Sequence, residues 1–149
     1  MIHQSTDAAF LNRVVNHPSV LPYVLCGFKG PLDVTALVEN PRNVFLANEF
    51  GGFLLIDRDD FVYELHTQFL PEGRGKSVIR AGNEMTTWMF TKTDALRIDT
   101  YVQPDNRAAA WAARICGFKK WGTVEINGSA CCYYVLTLKD WARRLDLCH

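Results

Sequence analysis

The sequence predicts an α/β fold with a mixed sheet flanked by helices, and three observations carry that prediction. Runs of strand-forming residues alternate with turn signals between residues 44 and 70. After Pro71 the apolar period changes from two to about 3.6 residues, so a strand gives way to a helix. A second strand and a second helix follow, and two strands joined through a helix can lie parallel. We therefore expect a mostly antiparallel sheet with one parallel strand pair.

The composition limits the classes of protein to which this sequence can belong. The 149 residues suit one domain spanning 1–149, 48% of them are hydrophobic, and 16 basic residues balance 16 acidic ones. A net charge of zero lacks the bulk positive charge that drives binding to nucleic acid or anionic membranes. No segment approaches the roughly 20 apolar residues of a membrane span, and the N-terminus does not resemble a signal peptide. We expect a cytoplasmic protein without nucleic-acid or membrane partners.

Cysteine and histidine spacing argues against a metal site. The five cysteines, at positions 26, 116, 131, 132 and 148, are odd in number and lack the paired spacing of a zinc site or a disulfide framework. None of the four histidines has another histidine three to five residues away. We therefore expect reduced thiols and no bound metal.

Two helices are predicted before the first strands. Asp7 can cap a helix whose apolar residues share one face, and a second, shorter helix is expected from about Asp33 to Glu39, before Pro41. The apolar face of the first helix consists of Phe10, Leu11, Val14 and Val15.

Three strands follow, because strand-forming runs are separated by the turn signals Phe50-Gly51-Gly52 and Asp59-Asp60. They are expected at Val44–Glu49, Gly52–Arg58 and Phe61–Leu70, as an antiparallel meander. The helix after Pro71 is then indicated by apolar residues on a single helical face, namely Val78, Ala81, Met85, Trp88 and Met89.

The remaining elements repeat the strand–helix order and end in a hairpin. Leu96–Val102 is a predicted strand that can lie parallel to Phe61–Leu70. A helix capped by Asp105 or Asn106 follows, and Gly117 suits its left-handed C-terminal cap. Asn127-Gly128 joins predicted strands Thr123–Ile126 and Ala130–Leu138, and a short helix is expected around Asp140–Leu145.

The segment 69–77 occupies the place where a strand turns into a helix, which suits an anion. A helix N-terminus presents unpaired backbone N–H groups and a partial positive charge. Gly73 and Gly75 allow the backbone conformations of an anion-binding nest, and Arg74 and Lys76 add full charges. The alternative is that the glycines shape a tight turn and the basic side chains are solvated.

The Gly75-Lys76-Ser77 string does not make this segment a nucleoside-triphosphate loop. That motif needs a glycine five residues before Gly75, and Leu70 stands there.

Two motifs resemble the GNAT acetyltransferases. The family segment apolar-x-Pro-Glu-x-Arg-Gly-x-Gly-x-Gly/Ala is matched by Phe69, Pro71, Glu72, Arg74 and Gly75. Ser77 and Ile79 stand where the family has its later small residues, so a side chain at 79 can occupy cofactor space. The second motif, Asn-x-x-Ala-x-x-Leu-Tyr-x-x-x-Gly-Phe, often ends the second helical unit of the family, and it is matched by Asn106, Ala109, Gly117 and Phe118.

The resemblance implies a fold, a cofactor and a set of binding residues. In the family the two parallel strands splay apart, and the pantetheine arm of acetyl-CoA pairs with the strand that corresponds to Phe61–Leu70. The coenzyme-binding residues that it implies here are Phe69, Leu70, Arg74, Gly75, Lys76, Ser77 and Asn106.

Glu64 and His66 are the candidate catalytic residues. They alternate with Gln68 on one face of their predicted strand, and Glu64 matches approximately the glutamate that some family members use as a base. A carboxylate or imidazole can take the proton that an amine must lose before it attacks a thioester. The alternative is that these polar side chains simply face solvent. Ala113 occupies the position of the family's proton-donating tyrosine, for which Tyr101, Tyr133 or Tyr134 could substitute.

The resemblance therefore implies an acetyl-CoA-dependent N-acetyltransferase with a small-molecule or peptide amine as acceptor. A homodimer is compatible with these expectations. The second hypothesis is a catalytically degenerate GNAT-like protein that acts through protein contacts, for example a bacteriophage assembly or regulatory protein, because Ser77, Ile79 and Ala113 all depart from the family pattern.

Overall fold

The computed structural model describes residues 1–24 and 30–147, so Cys26, Cys148 and His149 lie outside it. Its strands are β1 (His3–Gln4), β2 (Val44–Asn48), β3 (Gly51–Asp57), β4 (Val62–Phe69), β5 (Arg97–Val102), β6 (Lys119–Ile126) and β7 (Ser129–Thr137). Its helices are α1 (Ala8–Val15), α2 (Leu21–Val24), α3 (Thr35–Glu39), α4 (Lys76–Lys92), α5 (Arg107–Ile115) and α6 (Leu138–Leu147).

The described residues form one mixed sheet in the order β1-β2-β3-β4-β5-β7-β6. The strands β2, β3 and β4 are antiparallel neighbours, as the two turn signals predicted. The pair β4–β5 is parallel, and α4 connects its two strands. The predicted fold class, a mostly antiparallel sheet with one parallel pair and flanking helices, is confirmed.

A hydrophobic core on each face of the sheet fixes its helices. On one face the first core packs α4 and α5 against the strands, and fully buried members include Leu46, Leu55, Met85, Met89, Ile98 and Leu136. On the other face the second core packs α1 and α3 over β2 and β3, with Leu11, Val15, Val38, Phe45, Leu54 and Ile56 among its members. The apolar stripes predicted for α1 and α4 are therefore the faces that these helices bury.

The caps of α1 and α5 follow the sequence prediction. Asp7 accepts a hydrogen bond from the Phe10 amide at 3.0 Å, and Asn106 accepts one from the Ala109 amide at 3.2 Å. Gly117 follows α5 with φ of 99°, a left-handed conformation that glycine adopts without steric cost. Of the two cap residues considered for α5, the structure selects Asn106.

Several bounds differ from the predictions. The elements β1 and α2 were not predicted, because two and four residues are too short to show a period. A 3-10 turn over Pro71–Gly73 precedes α4, so this helix begins only at Lys76. Strand β6 begins at Lys119 rather than Thr123, since an irregularity between Lys120 and Gly122 breaks its alternation.

Within the described ranges, no helix combines the length and the apolarity needed to cross a membrane. The same residues contain no group of three or more side chains arranged to hold a metal ion.

Candidate active site

The parallel strands β4 and β5 separate halfway along β4. Their pairing runs from Val62–Arg97 to Leu65–Thr100, and the Thr100 hydroxyl donates to the Leu65 carbonyl at 3.1 Å at the last paired step. Beyond it, β4 continues beside β3 while β5 continues beside β7. A gap therefore opens after Leu65, as the splayed pair of the GNAT resemblance implies.

Backbone groups of β4 face this gap. The Leu70 amide donates to Phe50 on the β3 side, and peptide groups alternate sides along a strand, so those of Thr67 and Phe69 turn toward the gap. Among the described residues, Thr67 lies beyond the last pairing with β5. The side chain of Phe69 instead belongs to the first core, where it packs edge-on against Phe53 at 5.1 Å between centroids. The Phe69 carbonyl accepts from Arg74, so the peptide groups of Thr67 are the strand-type hydrogen-bonding groups that remain at the edge of the opening.

The turn after β4 leads into α4, whose N-terminus has no side-chain cap and lies at the end of the sheet where the gap opens. Gly75 is the N-cap of α4, with φ of 76°, and it makes no side-chain capping bond. The first bond into the helix runs from the Ile79 amide to the Gly75 carbonyl at 3.3 Å. In the described part of the chain, the amides of residues 76–78 thus have no partner that the helix supplies. They make this N-terminus a seat for an anion.

The two glycines of the turn serve different purposes. A Cβ on Gly73 would lie 2.4 Å from the Cβ of Phe50, so this glycine permits close packing of the turn. A Cβ on Gly75 would meet nothing within 4 Å, and the positive φ alone favours glycine there. The tight-turn interpretation therefore describes Gly73, while Gly75 lies in open space at the helix N-terminus.

Arg74 already makes hydrogen bonds within the protein. Its Nε donates to the Phe69 carbonyl at 3.0 Å, and its Nη2 donates to the Ser19 carbonyl at 2.7 Å. A guanidinium carries five N–H groups, so three remain for another acceptor. The side chains of Arg74, Lys76 and Ser77 are all exposed.

Ile79 lies near the start of α4, and Asn106 is the N-cap of α5. Ile79 is half-buried and packs against the first core, and its carbonyl lies 3.7 Å from the Cys116 thiol, which donates to it. Asn106 follows the carboxyl end of β5, while the turn 70–75 follows the carboxyl end of β4. Carboxyl ends of parallel strands meet at one edge of a sheet, which brings the two predicted binding segments to the same edge. The Asn106 amide oxygen caps α5, and the capping bond leaves its Nδ2 unused.

Glu64 and His66 form a hydrogen-bonded pair on the opposite face of β4 from the first core. The Glu64 Oε2 lies 2.6 Å from the His66 Nε2 and 3.1 Å from the Arg58 Nη2. The bond to His66, followed by the one to Arg58, lowers the pKa of Glu64 to about 2, although burial opposes the shift. The side chain of Glu64 is 18% exposed and that of His66 is 36% exposed, so His66 still reaches solvent.

A second hydrogen-bonded cluster, centred on Asp99, lies beside Glu64. Asp99 is its register partner on β5, and Arg97 holds the Asp99 carboxylate with two bonds of 2.8 and 3.0 Å. The Tyr133 hydroxyl donates to the same carboxylate at 2.8 Å, and its ring stacks on Tyr101 with centroids 5.1 Å apart. Sequence reasoning missed this cluster, although Arg97 and Asp99, which alternate along one predicted strand, could have indicated it.

The three tyrosines named as alternative proton donors differ in their surroundings. Burial, followed by the bond to Asp99, raises the pKa of Tyr133 to about 12, and burial also raises the pKa of Tyr101. A raised pKa makes a hydroxyl a weaker acid. Tyr134 is 1% exposed and lies on the other face, in the first core, as the register partner of Thr100. Ala113 packs against that same core.

Gln68 lies on the same face of β4 as Glu64 and His66, and its burial was not expected. It is 4% exposed, whereas the adjacent Thr67 is exposed. Its Oε1 is buried and has no hydrogen-bond partner in residues 1–24 and 30–147.

An acidic pocket of about 150 Å³ lies elsewhere, at the start of β4. Arg42 forms ion pairs there with Asp57 and Asp59. The pocket is lined by Arg42, Asp57, Asp59, Asp60, Phe61, Tyr63 and Asp94. They include none of the predicted site residues.

The Glu64 contacts predict an acid-sensitive contribution to stability. The folded pKa of about 2 lies below the ordinary value of 4.5, so the contribution is complete above pH 4.5 and is lost as pH falls toward 2. The difference in unfolding free energy between wild type and Glu64→Gln should therefore shrink as the pH falls from 6 to 3. Urea unfolding across that range measures it, with Glu125→Gln, an exposed carboxylate on β6, as the control. A constant difference would contradict the assignment.

No protein-family model matches the sequence, and no curated protein matches it either. Solved structures do match. The aminoglycoside acetyltransferase AAC(6')-Ib in complex with paromomycin and acetyl-CoA superposes with a TM-score of 0.77 at 16% identity, covering 96% of each chain. The spermidine N-acetyltransferase from Vibrio cholerae in complex with CoA and spermine has a TM-score of 0.75 at 16% identity, covering 95% of this chain and 97% of the other.

A further AAC(6')-Ib structure, with coenzyme A and kanamycin, gives a TM-score of 0.75 at 16% identity over 96% of this chain and 97% of the other. Nearly complete coverage in both directions means that these proteins share the overall fold. The fold implied by the two sequence motifs is confirmed: this chain has the GNAT fold.

Proposed function

We propose that the protein is an acetyl-CoA-dependent N-acetyltransferase that acts on a small amine. The observation that carries the proposal is the gap between β4 and β5, with an uncapped helix N-terminus at the edge where it opens. The structural neighbours are complexes with acetyl-CoA or CoA and with paromomycin, kanamycin or spermine. Those acceptors are all amines.

The residues present fit the coenzyme. The free amides of residues 76–78 suit a pyrophosphate, and Lys76 and the unused N–H groups of Arg74 add charge beside them. Thr67 offers its peptide groups to the amides of a pantetheine arm. Acetyl-CoA supplies an activated acyl thioester. The binding residues proposed here are those of the sequence stretch and the α5 cap: Phe69, Leu70, Arg74, Gly75, Lys76, Ser77 and Asn106.

Glu64 and His66 take different roles in this proposal. A carboxylate with a pKa of about 2 is a poor proton acceptor near neutral pH. Its short contact with the His66 Nε2 favours the tautomer that carries the proton on that nitrogen, which leaves the lone pair on Nδ1. His66 is therefore the base that takes the ammonium proton, directly or through water, and Glu64 positions it.

A catalytically degenerate protein that acts through protein contacts is the second candidate. It is favoured by Ala113 in place of a proton donor and by the exposed apolar side chains Trp111 and Ile115 on α5. A bacteriophage origin and a cytoplasmic location stay predictions.

The proposed coenzyme site at Arg74 and the N-terminus of α4 predicts that acetyl-CoA stabilises the folded protein. Millimolar acetyl-CoA should raise the melting temperature, because a ligand that binds only the folded state stabilises it. Arg74→Ala and Lys76→Ala should each weaken the binding by about tenfold, since each removes charge-assisted hydrogen bonds. Lys139→Ala, which removes an exposed lysine at the start of α6, should leave binding unchanged.

Calorimetric titration gives the dissociation constants in this test. An absence of any shift at millimolar acetyl-CoA would disprove the enzyme hypothesis. Wild-type affinity in both Arg74→Ala and Lys76→Ala would place the pyrophosphate elsewhere.

Asn106 should separate capping from coenzyme binding. Asn106→Asp keeps an oxygen for the Ala109 amide, so stability should be retained, whereas Asn106→Ala should cost about 1 kcal/mol. Asn106→Asp loses the Nδ2 donor and adds a negative charge, and acetyl-CoA affinity should fall. Thermal unfolding measures the first effect and calorimetry the second. Unchanged affinity in Asn106→Asp would limit this residue to the cap.

The assignment of the base predicts unequal losses. His66→Gln should lower kcat about 100-fold, as expected when a general base is removed, and Glu64→Gln should lower it less. Release of free CoA thiol, with spermine and kanamycin as the first amines to try, measures the rates. The dissociation constant of acetyl-CoA should stay unchanged in both variants, which serves as the control. Full activity of His66→Gln would refute the assignment.

A further inference from the structure

The amide oxygen of Gln68 is a buried acceptor without a donor. Other buried polar groups are satisfied: Thr86 donates to the Asn83 carbonyl at 3.1 Å, Thr100 to Leu65, and Asp99 accepts from Arg97 and Tyr133. In the described part of the chain, the Gln68 Oε1 is the exception. Leaving a buried acceptor unpaired costs about 1–3 kcal/mol, so a folded protein rarely retains one without a use for it.

The neighbours of Gln68 explain why the protein supplies no donor. Its register partner on β3 is Gly52, which has no side chain. A Cβ on Gly52 would lie 2.8 Å from the Phe45 ring, so an apolar ring fills the space above that glycine. On its other side, β5 has already separated from β4. Within the sheet, Gln68 therefore has a glycine covered by an apolar ring on the β3 side and no paired strand on the β5 side.

The position of Gln68 relative to the proposed base points to the acceptor substrate. Side chains two residues apart on a strand share one face and lie roughly 6.6 Å apart. Gln68 thus shares the face of His66 and Glu64, one step farther from the last β4–β5 pairing. The helices α4 and α5 cover the opposite face, next to the proposed coenzyme seat. A ligand group that reaches Gln68 on this face belongs to the molecule that the base deprotonates.

We propose that the Gln68 Oε1 accepts a hydrogen bond from a second N–H or O–H group of the acceptor, roughly 7 Å from the nitrogen that reacts beside His66. This inference rests on the proposed function and narrows its substrate class. The acceptor is then a diamine or an amino alcohol rather than a simple monoamine. Gln68 is a specificity-determining residue, and its unmet acceptor is satisfied when the substrate binds.

Gln68→Met tests this role, because methionine has a similar size and no strong acceptor. Removal of an unmet buried acceptor should raise the melting temperature of the protein without ligands. A structural role of Gln68 would instead lower it. Gln68→Leu repeats the measurement with a different apolar shape, and Thr123→Val, at an exposed strand position on β6, is the control.

The substrate pair is 1,5-diaminopentane, whose nitrogens can span the separation, and pentylamine, which lacks the second donor. Wild type should show a KM for the diamine about tenfold below that for the monoamine, the value of one hydrogen bond from a charged donor. Gln68→Met should remove this preference through KM, with kcat and the dissociation constant of acetyl-CoA unchanged. Gln68→Glu keeps an acceptor and should keep the preference.

Three results would overturn the inference. They are a preference that persists in Gln68→Met, a lower melting temperature of that variant with both KM values unchanged, and a change in acetyl-CoA affinity in place of KM. The last result would assign the Gln68 contact to the coenzyme.

Failure of the proposed function has a different signature, namely no acetylation of either amine by wild type. Calorimetric binding of 1,5-diaminopentane in the presence of CoA then decides the Gln68 inference alone. Binding to wild type that Gln68→Met weakens supports it, and equal binding or no binding to both refutes it.

Discussion

The site depends on the point at which β4 and β5 stop pairing with each other, while β4 stays paired with β3 and β5 with β7. Up to Leu65 and Thr100 the peptide groups of β4 and β5 pair with each other. Beyond that step each strand keeps only one hydrogen-bonded neighbour. A central strand with one free edge is costly, because its peptide groups lose partners without gaining water freely. The fold places this cost next to the N-terminus of α4, whose amides are also unpaired, so one ligand of suitable length can satisfy both.

The sheet face that carries Glu64 and Asp99 shows how the chain tolerates two carboxylates at one register position. Glu64 and Asp99 lie directly opposite each other on β4 and β5, where like charges destabilise a sheet. Each carboxylate is held by its own arginine, Arg58 for Glu64 and Arg97 for Asp99. The local charges therefore balance, and the face is polar without a strong net field. Recognition on it consequently depends on individual hydrogen bonds more than on long-range attraction of a charged substrate.

The fold was largely predictable from the sequence, because its signals are local. The Asn106 cap, the stripe of α4 and the turn residues around Gly75 all occur within single elements. What the sequence did not reveal depends on distant contacts. Arg74 bonds to Ser19, 55 residues away, which no spacing rule indicates. Alternation placed Gln68 on the correct face of β4, but its burial depends on what packs around that face, and period-two patterning carries no information about depth.

The missing tyrosine at Ala113 weighs less against catalysis than the motif alone indicates. A thiol has an ordinary pKa of about 8.5, so a departing thiolate is only some 1.5 units from its protonated form at neutral pH. An alkylammonium has an ordinary pKa near 10.4, more than 3 units above neutral pH, and it must lose its proton before its nitrogen can attack. Each unit is about 1.4 kcal/mol, so deprotonation of the amine is the more demanding transfer. The His66–Glu64 contact supplies a group for that step, so the proposed reaction requires this base more than it requires the absent acid.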